Sequence, residues 1–328
     1  MSKAGRVVYM NGALVPEAEA RISIYDSALM FGDMVFEMTR SYNKQQFKLR
    51  EHLERLYAGL KIPRVPLTMT IEAMERAVYE TIEANEPTMG AGDEHRIMID
   101  VSRGLLGIYQ GIEGVHQGPN VIVADFPLRW TVAGMSKLFD RGINAVIPAQ
   151  RAIPAQLLDP KIKNRSRIHY LMANIQVSNV EGDTNWALLL NPDGFIAEGT
   201  GDNFFLVKGG VIYTPEGRNI LRGVSRAYVM NELAPELGVD CVETNLEPYD
   251  VLTADEAFIT GTPFSMLPVT SLGGVSIGDG AVGSMFRRLL RRWSDNVGVD
   301  IEGQIRAWDG SRTEQAAAGP SPYAFRRK

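Results

Sequence analysis

Residues 186–213 read WALLLNPDGFIAEGTGDNFFLVKGGVIY, in which short apolar runs alternate with turn-forming residues. The runs are rich in Leu, Phe and Val, a composition that predicts β-strands. Asn191-Pro-Asp-Gly194 and Gly209-Gly210 are turn signals between these runs. The stretch therefore predicts a domain dominated by short hairpins. Its strands are predicted at residues 186–190, 203–207 and 211–213.

The first half of the chain mixes strands with helices. Asn11-Gly12 is a favoured two-residue hairpin turn, and the apolar residues on either side of it predict a strand pair. Apolar residues recur at helical spacing in two later segments, from Leu53 to Leu60 and from Ile71 to Ile82. We expect these two amphipathic helices to cover one side of a sheet. The strands of that sheet are predicted at residues 7–10, 13–15, 35–42, 97–101 and 121–124.

The strand pattern restarts after an irregular stretch in the middle of the chain, which predicts an α+β protein of two domains. Helical periodicity in the second half predicts helices at residues 224–237 and 282–297. The C-terminal tail is rich in Ala, Gly, Pro and Ser, and we expect it to be flexible. The predicted parts are an N-terminal α+β domain at 1–127, an interdomain loop at 128–140, a C-terminal domain at 141–310 and the tail at 311–328.

Composition and charge exclude several classes of protein. The 328 residues are 45% hydrophobic and carry a net charge of −5 without a long basic tract, so nucleic acid is not an expected partner. Because no apolar run reaches the roughly 18 residues of a membrane span and the first residues do not resemble a signal peptide, we expect a cytoplasmic protein without membrane contact. Cys241 is the single cysteine, which excludes an intrachain disulfide. The four histidines lack the spacing of a metal site, so no metal is expected.

Two segments carry donors that suit a bound anion. Leu221-Arg-Gly-Val-Ser-Arg226 opens a predicted helix, where unpaired N–H groups and the helix dipole favour a phosphate group. Thr260-Gly-Thr262 follows an apolar strand and offers a further hydroxyl and N–H. Each segment also has an ordinary interpretation, a glycine turn with a serine cap for the first and a plain strand end for the second.

Lysine and glutamate residues supply candidate covalent and acid–base groups. Lys161 and Lys163 follow Asp159-Pro160 in an irregular segment, and a desolvated lysine there is able to form a Schiff base. Glu198 precedes a glycine-rich turn whose backbone allows the close approach of a flat ring. Surface lysines and a solvated glutamate are the competing interpretations.

The order and spacing of these segments resemble the class IV aminotransferases, which have fold type IV and use pyridoxal 5'-phosphate (PLP). The resemblance extends from Val8 to about Val297. It implies a small N-terminal α/β sandwich, a larger C-terminal pseudo-barrel, PLP in the cleft between them, and a homodimer. The motifs that carry it are FGDMVFE at 31–37, REHLERL at 50–56, DPKIKN at 159–164, AEGTGDN at 197–203, LRGVSR at 221–226 and TGT at 260–262.

The resemblance also implies roles for individual residues. Lys163 resembles the Schiff-base lysine, which acts as the catalytic base. Glu198 resembles the carboxylate that pairs with the pyridine nitrogen of PLP, and Arg55 resembles the phosphate-binding arginine. The implied activity is ping-pong transfer of an amino group between an amino acid donor and a 2-oxo acid acceptor. The remaining phosphate donors are matched by Val224, Ser225 and Thr262.

Several residues are candidates for substrate binding. Arg96 falls where branched-chain aminotransferases carry a carboxylate-associated arginine, and Arg103 falls where D-amino-acid aminotransferases and (R)-amine transaminases carry one. Phe36 and Arg40 share one motif strand and are further candidates, although each arginine is equally suited to a structural ion pair. Branched-chain amino acids are the first expected substrates. D-amino acids, (R)-amines, the 4-amino-4-deoxychorismate lyase reaction and a non-enzymatic binding protein are the alternatives.

Two departures from the branched-chain pattern leave one cofactor contact open. Met38 stands where that group prefers glycine, and Ile168 stands where it has a tyrosine, five residues after the lysine. Tyr170 follows two positions later. The candidates for contact with the phenolic oxygen of PLP are therefore Tyr170, Arg165 or another group.

Overall fold

A computed structural model describes residues 5–90 and 92–311, which form two compact units. The first unit contains the chain up to Leu128 together with the short segment Ile162–Arg167. The second contains Arg129–Lys161 and the chain from Ile168 onward. The sequence pattern does not predict that a later segment returns to the first unit. Apart from Ser311, the tail predicted at 311–328 lies outside the described residues.

The first unit contains a six-stranded antiparallel sheet in the order β2-β1-β6-β5-β3-β4. The predicted hairpin is confirmed, because Asn11 and Gly12 both have positive φ angles, as a tight turn of this kind requires. The predicted strands are also confirmed, with bounds extended by a few residues. They are β1 (Val7–Met10), β2 (Ala13–Pro16), β3 (Met34–Tyr42), β4 (Gln45–Gln46), β5 (His95–Ser102) and β6 (Asn120–Pro127).

Helices cover this sheet, as the apolar spacing predicts. Leu53 and Leu56 of one helix and Met74 and Val78 of the next are fully buried in one apolar cluster with residues of the central strands. Burial of this kind stabilises the fold by roughly 1.5–3 kcal/mol for each large side chain. The helices are α1 (Ser27–Phe31), α2 (Leu49–Lys61) and α3 (Ile71–Asn85), and single 3-10 turns lie at Glu17–Glu19, Glu86–Thr88 and Gly107–Tyr109.

The returning segment Ile162–Arg167 runs alongside the start of β3. The Phe36 N–H donates to the Lys163 carbonyl at 2.8 Å, and the Arg165 N–H donates to the Met34 carbonyl at 2.9 Å. Val35 and Asn164 form an antiparallel bridge between these two bonds. Lys163 is therefore fixed to the edge of the first sheet by its own backbone.

The second unit contains a nine-stranded sheet that closes on itself. Eight strands follow the order β12-β11-β10-β13-β14-β7-β8-β9, the ninth strand β15 pairs with β14 outside this path, and β9 pairs back with β10 through Glu198 and Asn203. Six strands therefore form a ring, which confirms the predicted pseudo-barrel. The strands are β7 (Ile143–Val146), β8 (Asn185–Leu190), β9 (Ile196–Gly199), β10 (Asn203–Lys208), β11 (Val211–Pro215), β12 (Cys241–Thr244), β13 (Glu256–Gly261), β14 (Ser265–Leu272) and β15 (Val275–Ser276).

The predicted loop at 128–140 is instead mostly helical and belongs largely to the second unit. Val132, Met135, Leu138 and Phe139 are buried there, and this apolar spacing outweighs the glycine that makes the stretch look irregular. The helices are α4 (Arg129–Val132), α5 (Leu138–Arg141), α6 (Ile168–Val177), α7 (Val224–Tyr228), α8 (Ala234–Glu236), α9 (Pro248–Leu252), α10 (Ser284–Val297) and α11 (Ile301–Gly310). A 3-10 turn at Ala133–Met135 follows α4, and a π-helix at Val229–Leu233 joins α7 to α8.

The described residues were also searched for membrane spans and metal sites. None of the helices in residues 5–90 and 92–311 has both the length and the apolar content to cross a membrane. In the same part of the chain, no group of three or more His, Cys, Asp or Glu side chains is arranged to hold a metal ion.

Candidate active site

Lys163 and Phe36 form the centre of the candidate site in the first unit. The Lys163 Nζ lies 4.8 Å from the centroid of the Phe36 ring. Phe36 is only 2% exposed, and its strand β3 lies between β5 on one side and the returning segment Ile162–Arg167 on the other. The backbone pairing of Lys163 with β3 and the contact with Phe36 hold the amine at a defined place.

Two arginines that follow Lys163 contact the same ring. The guanidinium carbons of Arg165 and Arg167 lie 3.8 and 5.5 Å from the Phe36 centroid. Arg165 also donates to the Asp100 carboxylate through Nε at 2.8 Å and Nη2 at 2.7 Å. Burial raises the pKa of Asp100, and the Arg165 charge opposes that rise. Sequence reasoning proposed Arg165 only for the phenolic oxygen and missed Arg167, although the arginines at alternate positions are a visible signal.

Arg55 lies on α2 in the first unit, paired with a buried carboxylate. Its Nε and Nη2 atoms donate to the two Glu37 oxygens at 2.6 and 2.8 Å. His52, one helical turn earlier, contacts the same carboxylate through Nδ1 at 2.8 Å. Sequence reasoning identified Arg55 but did not identify Glu37 or His52 as its partners.

The three arginines predicted to bind substrate occupy separate environments in the first unit. Arg40 is 1% exposed, with its guanidinium 3.8 Å from the centroid of the Tyr42 ring. Arg103 is paired with Asp33 at 2.6 Å and donates to the carbonyls of two residues in the turn after α2. Arg96 is half-buried and contacts the Met38 sulfur at 3.4 Å. Arg40 is thus buried and Arg103 is ion-paired, surroundings that suit the structural interpretation of both arginines, and their contact with substrate stays a prediction.

Glu198 lies on β9 in the second unit, where three donors hold its carboxylate. The Tyr170 hydroxyl donates to Oε1 at 2.7 Å, and the Leu221 N–H and the Asn203 side-chain amide donate to Oε2 at 3.0 and 3.2 Å. Glu198 is 4% exposed. The three donors thus hold the Glu198 carboxylate in one orientation, with the Tyr170 hydroxyl against it.

The predicted phosphate donors lie at two positions of the second unit. Val224 and Ser225 begin the helix formed by α7, the π-helix and α8, whose N-cap is Gly223. Glycine offers no side-chain acceptor, so the N–H groups of the first turn are available to an anion. A side chain at Gly223 would also collide with the Asn203 amide oxygen. Thr262 follows directly after β13.

Lys161, the other lysine of the Asp-Pro segment, has different surroundings. It lies in the second unit, where its amine pairs with Asp159 at 2.7 Å and donates to the Arg218 carbonyl at 3.0 Å. The neighbouring Lys163 belongs to the first unit. The structure therefore separates two lysines that the sequence pattern alone does not rank.

Comparison with known proteins identifies the family of the chain. The model of the class IV amino-transferase family matches residues 34–272. A putative branched-chain-amino-acid aminotransferase of Methanocaldococcus jannaschii is 34% identical, with 88% of this chain and 95% of that protein covered. The chain belongs to the class IV aminotransferase family. As a class IV aminotransferase, it is a PLP-dependent enzyme that transfers an amino group.

Solved structures confirm that this class IV aminotransferase has fold type IV. The T.th. branched-chain amino acid aminotransferase with pyridoxamine 5'-phosphate superposes with a TM-score of 0.79 at 27% identity, covering 93% of this chain and 97% of that one. The same enzyme complexed with N-(5'-phosphopyridoxyl)-L-glutamate has a TM-score of 0.76 at 27% identity, covering 94% and 97%.

The side chains of this aminotransferase fit the chemistry of PLP. The first unit offers an amine at Lys163 and a guanidinium at Arg55, which suit an aldehyde and a phosphate. The second unit offers a fixed carboxylate at Glu198, which suits a protonated ring nitrogen, and a glycine-capped helix start, which suits a phosphate. Thr260, the last residue but one of strand β13, has a buried hydroxyl without a hydrogen-bond partner among the described residues. The end of this strand therefore has an unused polar group.

Proposed function

We propose that this aminotransferase uses Lys163 as its catalytic base and acts first on L-branched-chain amino acids, with a 2-oxo acid as acceptor. The role of Lys163 is supported by the position of its amine, which lies beside the Phe36 ring while the Lys163 backbone is bonded to β3. The substrate class is supported by the printed names of the Methanocaldococcus jannaschii relative and the T.th. structures.

The proposed PLP site uses the residues that the sequence predicts for it. When bound, PLP supplies a conjugated ring that takes up the electron pair released at the substrate α-carbon. Lys163 would hold the cofactor through its amine, and Glu198 would pair with the ring nitrogen. The residues that would bind the phosphate are Arg55, Val224, Ser225 and Thr262.

Lys163 Nζ would move one proton in each half-reaction. As a neutral amine it would remove the proton from the substrate α-carbon and deliver it to C4' of the cofactor, and the second half-reaction would reverse this transfer. The support is positional, since the backbone bond between Phe36 and Lys163 limits the freedom of the amine.

Glu198 would keep the ring nitrogen protonated throughout the reaction. Its carboxylate needs to stay charged and in one orientation for this purpose, and the three donors from Tyr170, Asn203 and Leu221 serve both needs. Because the Tyr170 hydroxyl is used here, Arg165 is the stronger of the two sequence candidates for the phenolic oxygen.

Substrate contacts in this proposal come from Phe36 and Arg96. The Phe36 ring lies beside the Lys163 amine, which supports a position next to the reacting carbon. Arg96 is half-buried, and its guanidinium carbon lies 5.5 Å from the centroid of the Phe126 ring. Arginine suits a carboxylate because its N–H groups match the two oxygens.

Half-reactions with single donors test the substrate class. The PLP form is mixed separately with L-leucine, D-alanine and (R)-1-phenylethylamine, and conversion to the pyridoxamine form is followed by absorbance. We expect L-leucine to react at least about tenfold faster than the other two, since a pocket that fits one stereochemistry misplaces the other. A faster reaction with either of the others would replace the branched-chain proposal, and pyruvate release from aminodeoxychorismate without an acceptor would identify the lyase.

We also propose that the enzyme works in the cytoplasm as a homodimer. Each unit has exposed apolar residues that suit an interface between copies. In the first unit they surround α1, and in the second they follow one face of α6. We expect light scattering to give a mass twice that of one chain, and a monomer at micromolar concentration would contradict the proposal. The exposed residues are Ile24, Leu29, Met30 and Phe31 near α1, and Ile168, Leu171, Met172 and Ile175 on α6.

A further inference from the structure

We propose that Glu37 is a positioning residue, which orients the Arg55 guanidinium for the phosphate group of PLP with the help of His52. The inference rests on the proposed function, because it takes Arg55 as a phosphate ligand. It adds a role for two buried side chains that the proposed chemistry does not otherwise use.

Glu37 fixes the plane of the Arg55 guanidinium. Two parallel bonds join Nε and Nη2 of Arg55 to the two carboxylate oxygens, at 2.6 and 2.8 Å. This fork geometry allows only one orientation of the two groups. Glu37 is itself immobile, because it is fully buried on β3 and also bonded to His52 at 2.8 Å. The Nη1 atom of Arg55 is not part of the fork, so its direction is set by the pair.

The charge states of the cluster are also defined. Burial alone would raise the pKa of Glu37, but the Arg55 charge and the bonds from both partners outweigh it and hold that pKa well below its usual range. Burial lowers the pKa of His52, so its ring is neutral near pH 7 and donates its Nδ1–H to Glu37. Glu37 and Arg55 are therefore a charged pair without net charge.

Such a pair is not explained by stability alone. Burying a carboxylate carries a large desolvation cost, and a well-packed apolar pair in its place is often equally stable or more stable. The pair also weakens the attraction of Arg55 for a phosphate dianion, because Glu37 carries the opposite charge. Glu37 therefore has two opposite effects: by orienting Arg55 it strengthens phosphate binding, and by neutralising Arg55 it weakens phosphate binding. Removal of the Glu37 charge distinguishes the two, because loss of orientation weakens phosphate binding whereas loss of neutralisation strengthens it.

The decisive variant is Glu37→Gln, studied as the apoenzyme. The dissociation constants of PLP and of pyridoxal, which lacks the phosphate, are measured by titration, and their ratio isolates the contribution of the phosphate. Covalent attachment to Lys163 is common to both ligands and cancels. We expect the pyridoxal-to-PLP ratio to fall about tenfold, because the glutamine NH2 group faces an Arg55 donor and breaks the fork. An unchanged or larger ratio would overturn the proposal.

Matched variants separate orientation from general damage. Asp125→Asn removes another buried carboxylate of the first unit, which bonds to His95 and not to Arg55, and it should keep the wild-type ratio. If Glu37→Gln does not fold, Glu37→Asp moves the carboxylate one methylene away from Arg55, and a folded Glu37→Asp with the wild-type ratio overturns the proposal equally. Wild-type protein that binds neither ligand would instead contradict the proposed function.

Discussion

Lys163→Ala is expected to lower the rate of the half-reaction with L-leucine by about a thousandfold. General acid–base catalysis by one side chain contributes roughly 10²–10⁴-fold, and the amine at 163 is the group proposed to move the proton. Its backbone is bonded to Phe36, and its Nζ lies beside the Phe36 ring. Stopped-flow absorbance with PLP-saturated protein measures the rate.

Lys161→Ala is the matched control for this substitution. It removes the other lysine of the same segment, which is engaged with Asp159 and the Arg218 carbonyl in the second unit. We expect the control to retain the wild-type rate within about fivefold, the change that loss of a partly exposed ion pair produces. A Lys163→Ala enzyme that kept the wild-type rate would remove Lys163 from its proposed role, and a large loss in the control alone would transfer the role to Lys161.

Glu198→Gln is expected to slow the same half-reaction by about a hundredfold while PLP remains bound. The amide carries no negative charge to oppose a protonated ring nitrogen, and loss of one preorganised electrostatic group of this kind costs about 10²–10³-fold in rate. The dissociation constant for PLP should change far less, since the proposed phosphate ligands and the amine are untouched.

Fluorescence titration with PLP and stopped-flow rates on the same Glu198→Gln preparation separate binding from rate. Glu181→Gln, at an exposed loop position of the second unit, is the control and should match the wild type in both measurements. Unchanged transamination in Glu198→Gln would count against the pairing. Loss of PLP binding without a change in the rate of the bound fraction would make Glu198 a binding residue only.

Local patterns predict most of the strands and the long helices. The Asn11-Gly12 turn and the apolar spacing of α2 and α3 are signals within a few residues, and the structure confirms both. β9 is not predicted, because its Gly199 belongs to a glycine-rich turn signal and its pairing partner lies on another strand. Short-range patterns therefore locate most strands and helices, whereas a strand such as β9 depends on its pairing with a distant segment.

Sequence motifs predict the residues of the candidate site but do not predict the side chains that bond to them. The Tyr170–Glu198 bond joins positions 28 residues apart, and the Arg55–Glu37 pair joins positions 18 apart. Arg40 shows the same limit, since its position in a strand does not reveal that its guanidinium packs on Tyr42 in the interior. Such contacts depend on tertiary packing, which one-dimensional spacing does not encode.

The return of Ile162–Arg167 to the first sheet has a consequence for the chain during its synthesis. When the ribosome has released only the residues up to Leu128, the Met34 carbonyl and the Phe36 N–H lack the partners that this segment later provides. An open edge of this kind invites pairing with other nascent chains. The segment that covers this edge also carries Lys163. Pairing of the segment with β3 therefore covers an edge that favours aggregation and positions the Lys163 amine at the same time.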